Sequence, residues 1–151
     1  MARSNKSRAT VICRQRNQVL LVRKAKAKWA LPGGSIEAHE GPVEAAHREL
    51  CEETGLACET LRFLAQHEFS GRAHHVFFTH VPDSQDARPL NEIADCQWFH
   101  LEALSRLVVK KSSRELLERY GLFVDEAPPQ VMVCGMADTP WSRMAFGSSV
   151  C

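Results

Sequence analysis

Residues 42–56 read PVEAAHRELCEETGL, and this stretch decides the fold of the chain. A proline at the first helical position loses no hydrogen bond, because the first N–H groups of a helix have no intrahelical acceptor. A glycine readily takes the left-handed conformation in which many helices end. The stretch therefore predicts a helix from Pro42 to Thr54 that stops at Gly55.

This predicted helix has one apolar face and one acidic face. Glu49, Glu52 and Glu53 are spaced i, i+3 and i+4, so they lie on one side of the cylinder. Three other residues follow the i, i+3, i+7 spacing of a stripe that faces the core: Val43, Ala46 and Leu50.

The three glutamates break two rules of helix stability. Like charges at this spacing cost about 0.2–0.5 kcal/mol per pair, and the last turns of a helix already favour positive side chains. One interpretation is a solvated acidic face, helped by an i, i+4 pair between Glu44 and Arg48. The other is that a hard divalent cation such as Mg²⁺ compensates the clustered carboxylates.

The segment before the helix favours the second interpretation. Gly33 and Gly34 allow the backbone to approach a ligand closely, and a basic segment with Lys24, Lys26 and Lys28 precedes them. Carboxylates for a metal, an open backbone and cationic side chains together are the groups that phosphoryl transfer requires.

These residues also carry a family resemblance. Gly34, five residues, Glu40, seven residues and then RELCEETGL at 48–56 resemble the complete Nudix box, GX5EX7REUXEEXGU with U aliphatic, without a departure. The resemblance implies the α/β fold of that family, an α/β/α sandwich with a mixed β-sheet packed between helices. It further implies an Mg²⁺- or Mn²⁺-dependent hydrolase of nucleoside diphosphates linked to another moiety.

The resemblance assigns roles by motif position. Arg48 is expected to hold Glu49 in place by an ion pair, Glu40 to be a structural ion-pair partner, and Gly34 to lie against the substrate. One of the box glutamates is a candidate general base. The expected metal ligands are Glu49, Glu52, Glu53 and the carbonyl of Gly33.

Candidates outside the box are less sharply defined. Some MutT-type Nudix enzymes use a further glutamate in the loop before a late strand that carries a tryptophan. Glu92 is similarly placed, six residues ahead of Trp98, so it is either a further ligand or base or an exposed loop acid. Asp95 is a weaker rival for that role. Lys24 and Lys28 are expected to contact a polyphosphate.

Aromatic side chains could complete the substrate site. Trp29 or Phe78 could stack on a nucleobase, and the alternative for Trp29 is a place in the core.

The rest of the chain is consistent with one mixed sheet. The order of strands, helix, strands and helix predicts a sheet packed between helices. The predicted elements are a hairpin of strands over 8–13 and 18–23, a short strand over 29–31 ended by residues 32–34, strands over 61–69, 74–81 and 96–100, and a second helix over 112–120.

The domain is predicted to occupy residues 1–121. Residues 122–151 are expected to form a C-terminal extension, an extended arm that docks on the domain or on a second subunit. A homodimer is therefore left open.

Composition excludes several classes of function. The net charge of +1 creates no global field for nucleic acid or anionic membranes, although Arg8 belongs to a local basic cluster with Arg3 and Lys6. No apolar run is long enough for a bilayer or a signal peptide. Six cysteines without a CxxC pair are typical of reduced thiols. A cytoplasmic protein is expected.

The expected partner is a small nucleotide. Some Nudix subgroups carry a proline or tyrosine marker beyond the box, but Gly71 and Arg72 occupy that region here. By elimination a nucleoside triphosphate, oxidised or not, is the leading substrate. The alternatives are a non-catalytic module that senses a nucleotide and a hydrolase that removes pyrophosphate from RNA 5′ ends, which the near-neutral charge disfavours.

Overall fold

The computed structural model describes residues 6–122, so the predicted C-terminal extension from residue 122 lies almost entirely outside the described part. The strands are β1 (Arg8–Gln15), β2 (Gln18–Lys24), β3 (Gly33–Ser35), β4 (Arg62–Phe69), β5 (Arg72–His80) and β6 (Ile93–His100). The helices are α1 (Pro42–Thr54), a 3₁₀-helix (Leu101–Arg106) and α2 (Lys111–Arg119).

All six strands belong to one mixed sheet with the order β4-β5-β1-β2-β6, and β3 also pairs with β1. The β1–β5 pair is parallel, whereas β1–β2, β1–β3, β2–β6 and β4–β5 are antiparallel. The predicted mixed sheet between helices is therefore confirmed.

Each face of the sheet has its own hydrophobic core. Successive side chains of a strand point to opposite faces, so Val11 packs into the core on the α1 side and Ile12 into the core on the α2 side. Leu50 supplies the apolar face of α1, and Leu116 and Leu117 supply that of α2. Both helices are thus held by apolar burial on opposite sides of one sheet.

The predicted bounds of α1 are confirmed. Its end is capped by Gly55 at φ 77°, whose N–H donates to the carbonyl of Cys51 at 2.9 Å. The predicted stripe is wrong at Val43, which is 41% exposed because the first turn lies clear of the sheet; Ala45 and Ala46 begin the buried face.

The short strand was predicted in the wrong place. Trp29 and Ala30 form only isolated bridges, whereas the glycines expected to end a strand begin β3 and pair with β1. A Cβ on Gly33 would lie 2.2 Å from the carbonyl oxygen of Ala9, so only glycine allows this close pairing.

Other differences are small. β6 begins at Ile93 rather than at residue 96, and the 3₁₀-helix was not predicted. Within residues 6–122, the helices are too short and too polar to cross a bilayer.

Candidate active site

The C-terminal half of α1 lies against β3 and presents the three glutamates of the box in different environments. Glu53 is buried, at 5% exposure, and its Oε1 accepts a hydrogen bond from the N–H of Gly33 at 3.1 Å. The Glu52 side chain is 52% exposed, and that of Glu49 is mostly buried. We call these three residues the acidic helix end.

Arg48 is the centre of a network of ion pairs. Its Nη2 lies 2.6 Å from Oε1 of Glu40, and its Nη1 lies 3.1 Å from Glu49 and 3.4 Å from Glu52. The hydrogen bond from Arg48 is the main cause that lowers the pKa of Glu40 to about 2. The structure thus contains the Arg48–Glu49 and Arg48–Glu40 contacts that the resemblance implied.

The alternative pair between Glu44 and Arg48 is not formed. Glu44 instead accepts a hydrogen bond from the N–H of Gly41 at 2.6 Å and so caps the start of α1. Arg48 is occupied by the other carboxylates, so the acidic face is not simply solvated.

Burial disfavours ionisation of two carboxylates in the site. It raises the pKa of Glu53 to about 7; the Gly33 hydrogen bond opposes this, and the negative charges of Glu49 and Glu92 add to it. Burial is also the main cause that raises the pKa of Glu49, against the effect of Arg48. The acidic helix end therefore holds more negative charge than its surroundings stabilise.

Gly34 lies directly against the carboxylate of Glu49. A Cβ at this position would fall 2.3 Å from Oε2 and 2.8 Å from Oε1 of Glu49. Glycine is thus needed for Glu49 to keep its position beside the backbone of β3.

The donors fit a hard divalent cation. Carboxylate and carbonyl oxygens are the ligands that Mg²⁺ prefers, and burial raises the pKa of Glu49 and Glu53, so a bound cation would stabilise their ionised forms. In the described part of the chain, no three His, Cys, Asp or Glu side chains converge into a ready-made metal site. Two of the glutamates point to Arg48 and the third to Gly33.

A cavity of about 390 Å³ opens beside Glu53 and Gly33. Lys24 and Lys28 line it, and their contact with a polyphosphate stays a prediction. Sequence reasoning did not assign three further cations of its wall to the substrate site: Arg8, Arg23 and Lys110. The only signal for Arg8 was its place near Arg3 and Lys6 in a basic N-terminal segment, and no pattern linked Lys110 to the site.

The aromatic candidates lie elsewhere. Trp29 is 7% exposed, packs edge-on against Phe99 at 4.8 Å between ring centroids, and has the Arg23 guanidinium over its ring at 4.4 Å. The expectation that Trp29 stacks on a base is therefore wrong, and its core alternative holds. Phe78 lines a separate cavity at the far end of β5 together with Arg62.

The two acids outside the box are placed differently. Glu92 is exposed, and its charge contributes to the raised pKa of Glu53, so it remains a candidate beside the site. Asp95 pairs with Arg23 at 3.0 Å, which leaves it a structural role.

Comparison with known proteins identifies the family of the chain. The NUDIX domain family model matches residues 4–120. A Caenorhabditis elegans protein named as a nudix hydrolase is 31% identical over 116 residues, 73% of this chain, which spans about a third (31%) of that protein's length. The CTP pyrophosphohydrolase of Escherichia coli K12 is 31% identical over 94 residues, covering 61% of this chain and 70% of the relative.

A solved structure supports the fold. A Chromobacterium violaceum protein described as a nudix hydrolase family member superposes with a TM-score of 0.71 at 24% identity, over 99% of this chain and 94% of the other. The family match spans the sheet, both helices and the whole box. The chain belongs to the Nudix hydrolase family.

Proposed function

We propose that this protein is a divalent-metal-dependent hydrolase that cleaves a phosphoanhydride bond of nucleoside triphosphates. The observation that carries the proposal is the juxtaposition of Glu53 and Gly33 with Lys24 and Lys28 around one cavity. Groups suited to a metal ion and groups suited to phosphates thus face the same space.

Glu49, Glu52, Glu53 and the carbonyl of Gly33 are the residues that would hold Mg²⁺ or Mn²⁺. When bound, such an ion neutralises phosphate oxygens and lowers the pKa of a water molecule.

The chain's own groups position the reaction. Arg48 keeps the carboxylate of Glu49 against Gly34, and the N–H of Gly33 orients Glu53. A carboxylate accepts the proton of the attacking water, and Glu53 and Glu92 are the candidates for this base. Lys24 and Lys28 neutralise the polyphosphate as it enters the cavity.

The comparisons support a nucleotide substrate. The CTP pyrophosphohydrolase among the relatives is named for a nucleoside triphosphate, and the cavity's cations match the charge of such a chain of phosphates. Oxidised nucleoside triphosphates carry the same triphosphate group and belong to the proposed substrate class. The proposed site lies entirely within residues 1–121, the proposed catalytic domain.

The test is a panel of substrates with Mg²⁺ and with Mn²⁺. It contains ordinary and oxidised nucleoside triphosphates, nucleoside diphosphate sugars, dinucleoside polyphosphates and RNA with a 5′-triphosphate, and product phosphates are measured by chromatography. We expect metal-dependent conversion of a nucleoside triphosphate to phosphorylated products, and none after chelation of the metal.

Two results would contradict the proposal. Nucleotide binding without turnover, seen as a rise in melting temperature with no product, would indicate a sensing module. Preferential turnover of RNA with salt-sensitive affinity would indicate an RNA-processing enzyme.

A further inference from the structure

Three neighbouring cations, Arg8, Arg72 and Lys110, are here called the basic cluster; Arg8 and Lys110 line the cavity, and Arg72 lies beside them. The only side-chain hydrogen bond of Arg8 within residues 6–122 is a long one, 3.4 Å from Nε to the Thr10 hydroxyl. Arg72 donates to the carbonyl of Lys6 at 2.7 Å and to the Ser35 hydroxyl. None of the three lies within 4.0 Å of a carboxylate in the described chain.

Strand pairing places this cluster next to the acidic helix end. Arg8 is opposite Ser35 in the β1–β3 pair. The carbonyl of Ser35 accepts a hydrogen bond from Arg48 at 3.1 Å, while its hydroxyl accepts one from Arg72. Ser35 therefore lies between the ion pairs of Arg48 and the basic cluster.

Lys110 reaches the cavity from the start of α2. Its backbone N–H donates to the carbonyl of Trp29 at 2.7 Å, and this bond fixes the residue beside the segment that lines the cavity. Arg8 and Lys110 are thus wall residues of one cavity although they are far apart in sequence.

The described chain balances the positive charge of the cluster only in part, through the longer-range effect of Glu53 and Glu49 on Arg8. Burial and then its cationic neighbours lower the pKa of Lys110. His74 is 6% exposed, its Nδ1 has no hydrogen-bond partner among the described residues, and its pKa falls to about 4 through burial and then through Arg8, Arg72 and Lys110. A bound anion would stabilise the charged forms of these cations.

The other cations of the cavity have different surroundings. Arg23 is paired with Asp95 and stacked on Trp29. Lys24, Lys28 and Lys110 are exposed, so water screens their charge, whereas Arg8 is half-buried. Arg8 is therefore the half-buried cation of the wall that has no carboxylate within 4.0 Å in the described chain, and Lys110 adds a second positive charge to the same wall.

We propose that Arg8 and Lys110, supported by Arg72, bind the terminal phosphate of the nucleoside triphosphate. This inference rests on the proposed function, in which the acidic helix end takes the phosphates on either side of the bond that breaks. A substrate with a phosphate beyond that bond gains the contacts of the cluster. A diphosphate joined to an uncharged moiety does not, so the cluster selects for triphosphates.

The test compares two substrates in three variants. Lys110→Gln and Arg8→Gln each remove a cation of the cluster, and Lys111→Gln removes the same charge from the exposed neighbouring residue. For the best triphosphate in the panel we expect KM to rise about tenfold or more in the first two variants, the scale of losing a hydrogen bond to a charged group. We expect kcat within a few-fold of the parent and little change for a nucleoside diphosphate sugar.

Equal rises in KM for both substrates, or no rise in Lys110→Gln, would overturn the assignment. If the parent hydrolyses no nucleotide, the proposed function fails, and calorimetry with inorganic tripolyphosphate then decides the cluster separately. Weaker binding in Lys110→Gln than in Lys111→Gln would support an anion site, whereas equal binding in all variants would reject it.

Discussion

Arg48 and Arg8 both lie beside Ser35, yet their electrostatic surroundings are opposite. Arg48 contacts the carboxylates of Glu40, Glu49 and Glu52, and the first of these contacts raises its pKa. Arg8 has no carboxylate contact in the described chain, and burial lowers its pKa. Arg48 thus neutralises part of the acidic helix end, whereas no carboxylate of the described chain forms an ion pair with the basic cluster.

This difference indicates what each region lacks. Among the described residues, Glu53 has the backbone N–H of Gly33 as its hydrogen-bond partner, and burial raises its pKa although the charge of Arg8 opposes this. The basic cluster has no carboxylate within 4.0 Å in the same part of the chain. A metal ion and a phosphate chain supply positive and negative charge at once, and they are the two components that the proposed reaction requires.

The largest expected effect comes from Glu53→Gln. The amide keeps the volume and an acceptor for the Gly33 N–H but removes a proposed metal ligand, so kcat should fall by at least about a hundredfold. Because the pKa of Glu53 is raised by burial, the melting temperature without metal should stay level or rise.

Glu59→Gln, an exposed acid outside the site, serves as the control. If Glu53→Gln keeps activity within a few-fold of the parent, Glu53 does not hold the metal.

Arg48→Ala tests the neutralised side of the comparison. Its loss leaves three carboxylates without their shared cation, and we expect the free energy of unfolding to fall by about 1–3 kcal/mol in urea denaturation. The matched variant Arg16→Ala breaks an exposed pair with Asp83 and should cost less than about 1 kcal/mol. Equal losses in the two variants would show that the Arg48 network is no stronger than a surface ion pair.

Gly34→Ala tests the contact between β3 and the carboxylate of Glu49. The added methyl group would displace that carboxylate, the end of a flexible side chain, so we expect kcat to fall about tenfold with little change in stability. Gly41→Ala is the control, because its Cβ would lie 3.5 Å from its nearest neighbour, Oε1 of Glu44. Unchanged activity in Gly34→Ala would mean that Glu49 need not stay against β3.

His74→Phe removes a buried imidazole beside the basic cluster and should have the smallest effect. The pKa of His74 is about 4 in the folded protein, against an ordinary value of 6.5. Between these values the unfolded chain binds the extra proton, so stability falls as the pH is lowered from 6.5 to 4. Melting temperatures across this range should fall less steeply for His74→Phe; identical slopes would mean that burial and the neighbouring cations do not lower the pKa of His74.

Local signals explain why α1 could be predicted to the residue. Pro42 and Gly55 set its ends through their own backbone preferences, and the spacing of the glutamates follows from helix geometry alone. The same sequence logic failed at Val43 and Trp29. Helical spacing says which residues share a face, but not where the sheet ends beneath that face or which ring is covered by a neighbouring strand.

The sequence by itself determined the helix, the shared acidic face and the family, because each depends on residues close together along the chain. Only the tertiary structure decided that Glu53 is buried while Glu52 is exposed, and that Arg8 and Lys110 face one cavity. Burial and long-range proximity arise from β1–β3 pairing and from the docking of the start of α2 on Trp29. No periodicity encodes such contacts, since they join segments that are distant in sequence.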